Sequence, residues 1–272
     1  MHASVSNLGL TTDLLLHAQT GIVEALDDYI VVRTPDAPEY FFGNLLVLPR
    51  RPCERDVDRI EHDFAKLVGT PPRIAHRTFT WVESDEGSVD LNAFAKRGYE
   101  ATVCKVLIAQ PHHSRPVVTN REIEVRKFCF QEDWDAWSEM HLADMSNPLE
   151  ITSQRYIAHQ QTTYKRLIEQ GFGDWWGAFI AGEQVGSLGL FFLQGMGRFQ
   201  SVLTAEQHRN KGVCKTLVST VVGLTANRAE RFVMVADETY FAGKIYEALG
   251  FEPHGRVAAL CHEPGSIATA SR

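Results

Sequence analysis

The sequence of 272 residues lacks the patterns that mark disulfide-stabilised, zinc-binding and membrane proteins. Its five cysteines are odd in number and dispersed, with no Cys-x-x-Cys pair, which argues against a disulfide framework and a zinc site. No stretch approaches the roughly 18 uninterrupted apolar residues of a membrane span. The segment Met1–Leu16 lacks the basic start and long apolar core of a secretion signal. We therefore expect a soluble cytoplasmic protein with no metal and no membrane contact.

An excess of basic charge is also missing. The chain carries 27 Lys and Arg against 34 Asp and Glu, a formal net charge of -7. This balance argues against a nucleic-acid-binding surface. Hydrophobic residues make up 44% of the chain, and its length allows two compact domains, each with its own core. The composition leaves open whether the protein is a monomer or a homodimer.

Two common phosphate-binding motifs are absent as well. A P-loop requires Gly-x-x-x-x-Gly-Lys-Ser/Thr, but Gly212 is followed by Val213. A dinucleotide-binding turn requires Gly-x-Gly-x-x-Gly, but Gly195-x-Gly197 is followed by Gln200 instead of the third Gly. Neither a nucleoside triphosphatase nor a dinucleotide-binding enzyme is indicated.

What the sequence does contain is an anion-binding pattern between residues 201 and 222. A β-like run ends in a polar turn that carries Arg209, Lys211 and Gly212, and an amphipathic helix follows. The first amides of a helix have no intrahelical acceptor, and the helix dipole favours negative charge at that end. The pattern predicts a phosphate or diphosphate site.

The turn fits the pattern Arg/Gln-x-x-Gly-x-Gly/Ala, with Cys214 where Gly or Ala is usual. At this point the chain resembles the GNAT-type N-acetyltransferases, whose loop of this form binds the diphosphate of acetyl-CoA. A second motif follows in the expected order, an apolar strand at 232–236 and then Ala242–Glu252. It resembles the family's Ala-x-x-Leu-Tyr-Glu-x-Leu-Gly-Phe helix. The resemblance covers residues 120–262.

The resemblance implies an α+β fold, an α/β/α sandwich with a mixed, mostly antiparallel sheet flanked by helices. The helix after the turn is predicted to bury Val213, Leu217, Val221 and Leu224 on one face. The run Arg256–Cys261 is predicted to be the closing strand of this half.

The first half repeats part of this pattern, because Phe94–Glu100 aligns with Tyr246–Glu252. Upstream, Tyr40–Leu48 is interpreted as the counterpart of the strand before the anion turn. The connecting loop Pro49–Cys53 has no Gly, and its two prolines have no N–H to donate. We therefore predict two GNAT-like domains in tandem. A degenerate domain without CoA covers residues 1–111 and a catalytic domain covers residues 120–272, with a linker at 112–119 between them. An unrelated α+β domain in the first half is the alternative.

The resemblance also assigns site residues. Residues implied to bind acetyl-CoA are Ser201, Val202, Leu203, Thr204, Arg209, Asn210, Lys211, Gly212, Val213, Cys214, Thr239 and Tyr246. Thr239 stands where the family often has Asn. Tyr246 is the candidate acid for the departing thiolate. Asp237 and Glu238 are candidate general bases, although either could cap the next helix instead, and His141 and His208 are alternatives. The segment Leu142–Thr152, with Asp144, Asn147 and Glu150, is expected to face the acceptor.

The function implied is direct transfer of an acetyl group from acetyl-CoA to a primary amine of a small molecule. A non-catalytic acyl-CoA-binding or regulatory protein is one alternative, motivated by the departures at Cys214 and Thr239. A protein lysine or N-terminal acetyltransferase is another. The sequence does not select the acceptor, the general base or the length of the acyl group.

Overall fold

A computed structural model describes residues 7–84, 91–111, 119–239 and 241–263. The predicted linker therefore lies outside the described residues except for Thr119. The chain forms two compact units. Of the described residues, the first unit contains 7–84, 91–106, 237–239 and 254–263, and the second contains 107–111, 119–236 and 241–253.

The first part of the chain alternates short strands with helices. Its elements are α1 (Leu8–Thr20), β1 (Ile22–Ala25), β2 (Ile30–Arg33), β3 (Leu45–Val47), α2 (Val57–Leu67), β4 (Arg77–Glu83), α3 (Asn92–Ala95) and β5 (Tyr99–Ala109).

The second part has longer elements. They are β6 (Glu124–Lys127), α4 (Gln131–Ala143), α5 (Ile151–Glu169), β7 (Gly173–Ile180), β8 (Glu183–Leu193), β9 (Met196–Thr204), α6 (Val213–Thr225), β10 (Arg231–Asp237), α7 (Ala242–Ala248) and β11 (Glu252–His262). Their order along the chain is β-α-α-β-β-β-α-β-α-β. Among the described residues, no helix combines the length and apolar character needed to span a bilayer.

In the second unit the strands lie in the order β10-β9-β8-β7-β6. Neighbouring strands are antiparallel except β9 and β10, which are parallel. Trp175 of β7 packs on the aromatic rings of α4 and α5, whereas Leu188 and Leu190 of β8 share a core cluster with Leu217 of α6. The predicted mixed, mostly antiparallel sheet flanked by helices is confirmed.

In the first unit the strand order is β1-β2-β3-β4-β11-β5. The strand β11 was predicted as the closing strand of the second half. It is a strand, but it pairs antiparallel with β4, from Arg256 opposite Glu83 to His262 opposite Arg77. The hydrophobic pattern identifies a strand without specifying its partner. The domain boundaries proposed from the sequence stay a prediction.

One face of the helix α6 is buried. Val213, Leu217 and Val221 are buried, as predicted, but Leu224 is 60% exposed. The buried stripe continues at Thr225, which follows Val221 by four residues and whose hydroxyl donates to the Val221 carbonyl at 2.6 Å. Leu224 lies on the same face by helix periodicity but in the last turn of α6, so the prediction that it is buried was wrong.

The segment Tyr40–Leu48 is not one strand. Phe41–Gly43 form a 3-10 turn, and only Leu45–Val47 is extended. The Asn44 side chain stabilises the turn, because its amide nitrogen donates to the Ala37 carbonyl at 2.8 Å and its oxygen accepts from Thr34 N at 2.9 Å. This local hydrogen bonding competes with strand pairing.

The two aligned helix–turn–strand segments adopt the same turn. Gly98 and Gly250 both have left-handed backbone angles, with φ of 82° and 97°. The aromatic four residues before each Gly is buried, Phe94 in the first segment and Tyr246 in the second. An L-residue rarely adopts this conformation, so the Gly ends the helix in both segments.

Candidate functional site: a basic cavity at the start of a helix

The second unit contains a cavity of about 740 Å³. It is formed by the end of β9, the loop that follows, the first turn of α6 and the helix α7. Predicted site residues that line it are Val202, Leu203, Thr204, Arg209, Asn210, Gly212, Val213, Cys214 and Tyr246. The structure thus brings together two motifs that are separate in the chain, the loop Arg209–Cys214 and the helix that carries Tyr246.

The loop backbone is shaped for a ligand at the helix start. Gly212 is the residue before α6 and has φ 79°, ψ 9°, and Asn210 is also left-handed with φ 62°. Among the described residues, no side chain caps α6. The first-turn amides of α6 therefore keep their donors for an anion, and the helix dipole adds to the attraction.

Asn120 braces this loop and was not singled out from the sequence. Its side-chain nitrogen donates to the Lys211 carbonyl at 3.1 Å, and its backbone N–H donates to Thr216 Oγ1 at 2.9 Å. Lys211 itself is exposed and contributes this carbonyl, with its side chain outside the cavity lining. A lone Asn ahead of a strand carries no motif, so only the fold reveals this contact.

The strands β9 and β10 separate beside the cavity. Their ladder joins Met196–Arg198 to Arg231–Val233, whereas β9 continues to Thr204 in register with β8. The β8–β9 register shifts between Ser187 and Gly189, which marks a bulge in β9. An extended backbone edge is thereby left open next to Val202 and Leu203.

Tyr246 and Cys214 meet at the cavity wall. Tyr246 is 4% exposed, and its hydroxyl is hydrogen-bonded to the Cys214 thiol. Burial raises the pKa of the Cys214 thiol to about 11, against a weaker opposing effect of that hydrogen bond. At neutral pH the thiol is protonated and is a poor nucleophile.

The cavity is basic although the chain is acidic overall. Its charged lining consists of Arg209, Lys215 and Lys244 against the carboxylate of Asp144. Arg209 Nη2 donates to Asp144 Oδ1 at 2.7 Å. His208 also lines the cavity, 4.0 Å from the Glu183 carboxylate. A concentration of cations at a helix start suits a polyanionic ligand.

Three further predicted residues belong to the first unit. Asp237 Oδ1 accepts from Thr239 N at 2.7 Å and from Thr239 Oγ1 at 2.6 Å, which forms a tight turn after β10. Glu238 lies 3.8 Å from Arg256, and its N–H donates to the Val103 carbonyl at 2.9 Å. These contacts are local to the strand end. The catalytic role assigned to Asp237 and Glu238 stays a prediction.

The α4–α5 connection was expected to face the acceptor. Within it, Asp144 lines the cavity, whereas Glu150 precedes α5 and accepts from Thr152 Oγ1 at 3.4 Å. Burial lowers the pKa of His141 to about 4, so this imidazole is neutral at neutral pH. Within the described parts of the chain, no three His, Cys, Asp or Glu side chains are grouped to hold a metal ion.

Comparison with family models matches residues 134–251 to the Acetyltransferase (GNAT) family. The match begins in α4 and ends just after α7, so it contains the cavity and both motifs. No curated protein matches the sequence.

Solved structures share the fold at low identity. A GCN5-related N-acetyltransferase from Kribbella flavida is 13% identical with a TM-score of 0.67, covering 98% of this chain and 99% of that one. A functionally unknown conserved protein from Staphylococcus epidermidis is 13% identical with a TM-score of 0.70, covering 90% and 94%. A tandem GNAT protein from the clavulanic acid biosynthesis pathway is 16% identical with a TM-score of 0.50, covering 82% and 74%. Residues 134–251 thus match the Acetyltransferase (GNAT) family, and the solved structures share the fold.

Proposed function

We propose that the second unit transfers an acetyl group from acetyl-CoA directly to a primary amine of a small molecule. The observation that carries the proposal is the uncapped start of α6, which lines one cavity together with the open edge of β9 and with Tyr246. These three features correspond to the three demands of the reaction on the donor side, which are anchoring, carbonyl polarisation and protonation of the thiolate.

The donor would be anchored at the α6 start. A diphosphate accepts hydrogen bonds from the amides of residues 210–214, and Arg209 and Lys215 supply charge beside them. The left-handed Gly212 permits the turn that aims these amides at one point. The loop fits the group, because its donors have no competing cap among the described side chains.

The carbonyl would be polarised from β9. Beyond Arg198 this strand has left its ladder with β10, so its backbone can pair with an extended ligand arm. The N–H of Val202 or Leu203 is the candidate donor to the thioester oxygen. One donor fixed at a developing oxyanion is commonly worth about 3 kcal/mol.

Tyr246 would protonate the leaving group. Bound acetyl-CoA would supply an activated thioester. The amine nitrogen bonds to its carbonyl carbon while the bond from that carbon to sulfur breaks. A phenol and an alkyl thiol have ordinary pKa values within about two units, so proton transfer between them is close to balanced. The attacking nitrogen gives up one proton as the amide forms, and this proton returns to the Tyr246 phenolate through solvent, so atoms and charge balance.

Direct transfer is supported by the state of Cys214. A covalent acyl-enzyme needs a thiolate, and burial keeps this thiol protonated with a pKa of about 11. Cys214 packs against the core cluster of the unit, so it has a packing role at the position where Gly or Ala is usual.

The test measures acetyl-CoA turnover with a panel of amines, and turnover is detected by the release of the CoA thiol. For Tyr246→Phe we expect kcat to fall about 100-fold, with acetyl-CoA affinity changed by less than about threefold, because general acid catalysis contributes about 10²–10⁴ in rate. The variant keeps the buried ring and removes only the hydroxyl. Wild-type protein that binds acetyl-CoA but acetylates no amine would overturn the proposal and favour a non-catalytic acyl-CoA-binding protein. Peptides with free amino groups belong in the same panel, because their preferential use would favour a protein acetyltransferase.

A further inference from the structure

A hydroxyl pair lies beside the proposed donor strand. Tyr164 Oη of α5 is 3.2 Å from Ser201 Oγ of β9, and either atom can be the donor. Tyr164 is 8% exposed, whereas Ser201 is exposed. A buried phenol therefore holds an accessible hydroxyl in place.

Ser201 sits in a strained part of its strand. Its φ is 44°, a left-handed value in a residue that is not Gly, and it lies where the β8–β9 register shifts. Such a conformation costs of order 1–3 kcal/mol and persists where the surroundings enforce it. The family resemblance implied that Ser201 binds acetyl-CoA, but Ser201 is not among the residues that line the cavity. It directly precedes Val202, whose N–H is a candidate donor to the thioester oxygen.

The position of Tyr164 is fixed by aromatic packing. Its ring lies 4.4 Å from the Trp175 ring, 5.9 Å from the Phe191 ring and 6.0 Å from the Trp137 ring, measured between centroids. Trp137, Trp175 and Phe191 are each at most 1% exposed. A phenol packed in this way presents its hydroxyl with little conformational freedom, as preorganised binding requires.

We infer that Ser201 Oγ binds the amine of the acceptor, and that Tyr164 is the positioning residue that holds Ser201. The inference rests on the proposed function and assigns its acceptor contact. A serine hydroxyl offers two lone pairs, one for Tyr164 and one for an amine N–H. A neutral primary amine keeps N–H groups to donate while its lone pair points at the adjacent carbonyl carbon. Ser201 forms no covalent bond and takes up no proton in this arrangement.

The test uses Ser201→Gly and Tyr164→Phe, singly and together. Gly accepts φ 44° without strain, so Ser201→Gly removes the hydroxyl and keeps the bulge. Gln194→Gly is the matched control, because Gln194 has φ 49° in the β8–β9 turn and carries no assigned role. Each test variant is expected to lower kcat/KM for the amine about 3- to 10-fold, the range of one net hydrogen bond. The Kd of acetyl-CoA and the control are expected to change less than about twofold.

The double variant decides whether the two hydroxyls act together. If Tyr164 works through Ser201, the double variant loses little beyond the larger single loss. Additive losses, or a parallel loss of acetyl-CoA affinity, would show that Tyr164 is only structural and would overturn the inference. Unchanged kcat/KM in both variants of a working enzyme would overturn the inference alone. A wild type without turnover on any amine would overturn the proposed function and the inference together.

Discussion

Two loops of this chain lead into helices, and they treat the helix start in opposite ways. Before the helical segment that begins at Glu54, Asp56 Oδ2 accepts from the Cys53 N–H at 2.9 Å and from Arg50 Nη1 at 2.8 Å. Before α6, Gly212 is left-handed and no described side chain forms a cap. The first loop thus contains its own carboxylate, where the second leaves room for a foreign anion.

The cations of the two loops differ in the same sense. In the first loop Arg50 pairs with Asp56, as does Arg59 from α2, and Arg51 Nε donates to Glu83 at 2.8 Å. The Glu83 side chain is 6% exposed, so that charge is neutralised inside the protein. In the second loop Arg209 pairs with one carboxylate, and both partners are well exposed. The first loop therefore differs from the second in holding an internal anion as well as in lacking glycine.

The difference between the two loops can be tested by placing a carboxylate like that of the first loop in the second. Lys215 is the third residue of α6, the position that Asp56 holds in its own helical segment. Lys215→Asp should weaken acetyl-CoA binding between about 10-fold and 100-fold. It removes one cation and places an anion at the donors, and a hydrogen bond to a charged group is worth about 1.5–3 kcal/mol. Titration calorimetry at fixed ionic strength measures the change.

Lys215→Gln is the control, because it removes the cation and adds no carboxylate. Its loss of affinity should be clearly smaller than that of Lys215→Asp. Equal affinities in the two variants would mean that an internal anion at this position does not block the site. The free energy of unfolding should rise slightly in Lys215→Asp, since an acidic residue near a helix N-terminus is stabilising by about 0.3–1 kcal/mol.

The converse change is Asp56→Asn, which removes the internal anion of the first loop. The hydrogen bond from Arg50 holds the pKa of Asp56 well below its usual range. Because the folded pKa is lowered, the stabilisation is complete above about pH 5. It is lost progressively as the pH falls from the unfolded pKa of about 3.9 through the lowered folded pKa. At pH 7 the variant should lose about 1–2 kcal/mol of unfolding free energy in urea titrations, and this deficit should shrink at low pH.

Removing Asp56 should not create a second acetyl-CoA site. Pro49 and Pro52 have no N–H donors, so the amides needed for a diphosphate are still missing. Calorimetry should give one acetyl-CoA per chain for the wild type and for Asp56→Asn. A stoichiometry of two in the variant would contradict the view that the backbone of this loop has lost the capacity to bind.

The sequence predicted those features that depend on local chemistry. The turn before α6 and the helix itself follow from residue spacing, Tyr246 was singled out by the family resemblance, and the structure brings all three to one cavity. Partners distant in sequence were not accessible in this way. The pairing of β11 with β4, the brace from Asn120 and the pair of Tyr164 with Ser201 involve residues with no local signature. A strand pattern specifies alternation, and a single Asn or Tyr specifies less, so their partners follow only from the fold.

The second loop also pairs with one carboxylate of the protein, that of Asp144. Asp144 follows the last residue of α4, at the negative end of that helix dipole, so its carboxylate benefits from the Arg209 guanidinium. A bound diphosphate would compete with Asp144 for Arg209. Asp144→Asn should therefore tighten acetyl-CoA binding, by no more than about fivefold, because an exposed ion pair is worth about 0–1 kcal/mol. The gain should shrink at 0.5–1 M salt, roughly where screening acts over a few ångströms.

Glu183→Gln removes an exposed carboxylate near His208 and serves as the control for net charge. Equal gains in acetyl-CoA affinity for the two variants would show a general effect of net charge. A gain confined to Asp144→Asn would identify Asp144 as a weak internal competitor for Arg209, comparable to Asp56 in the first loop.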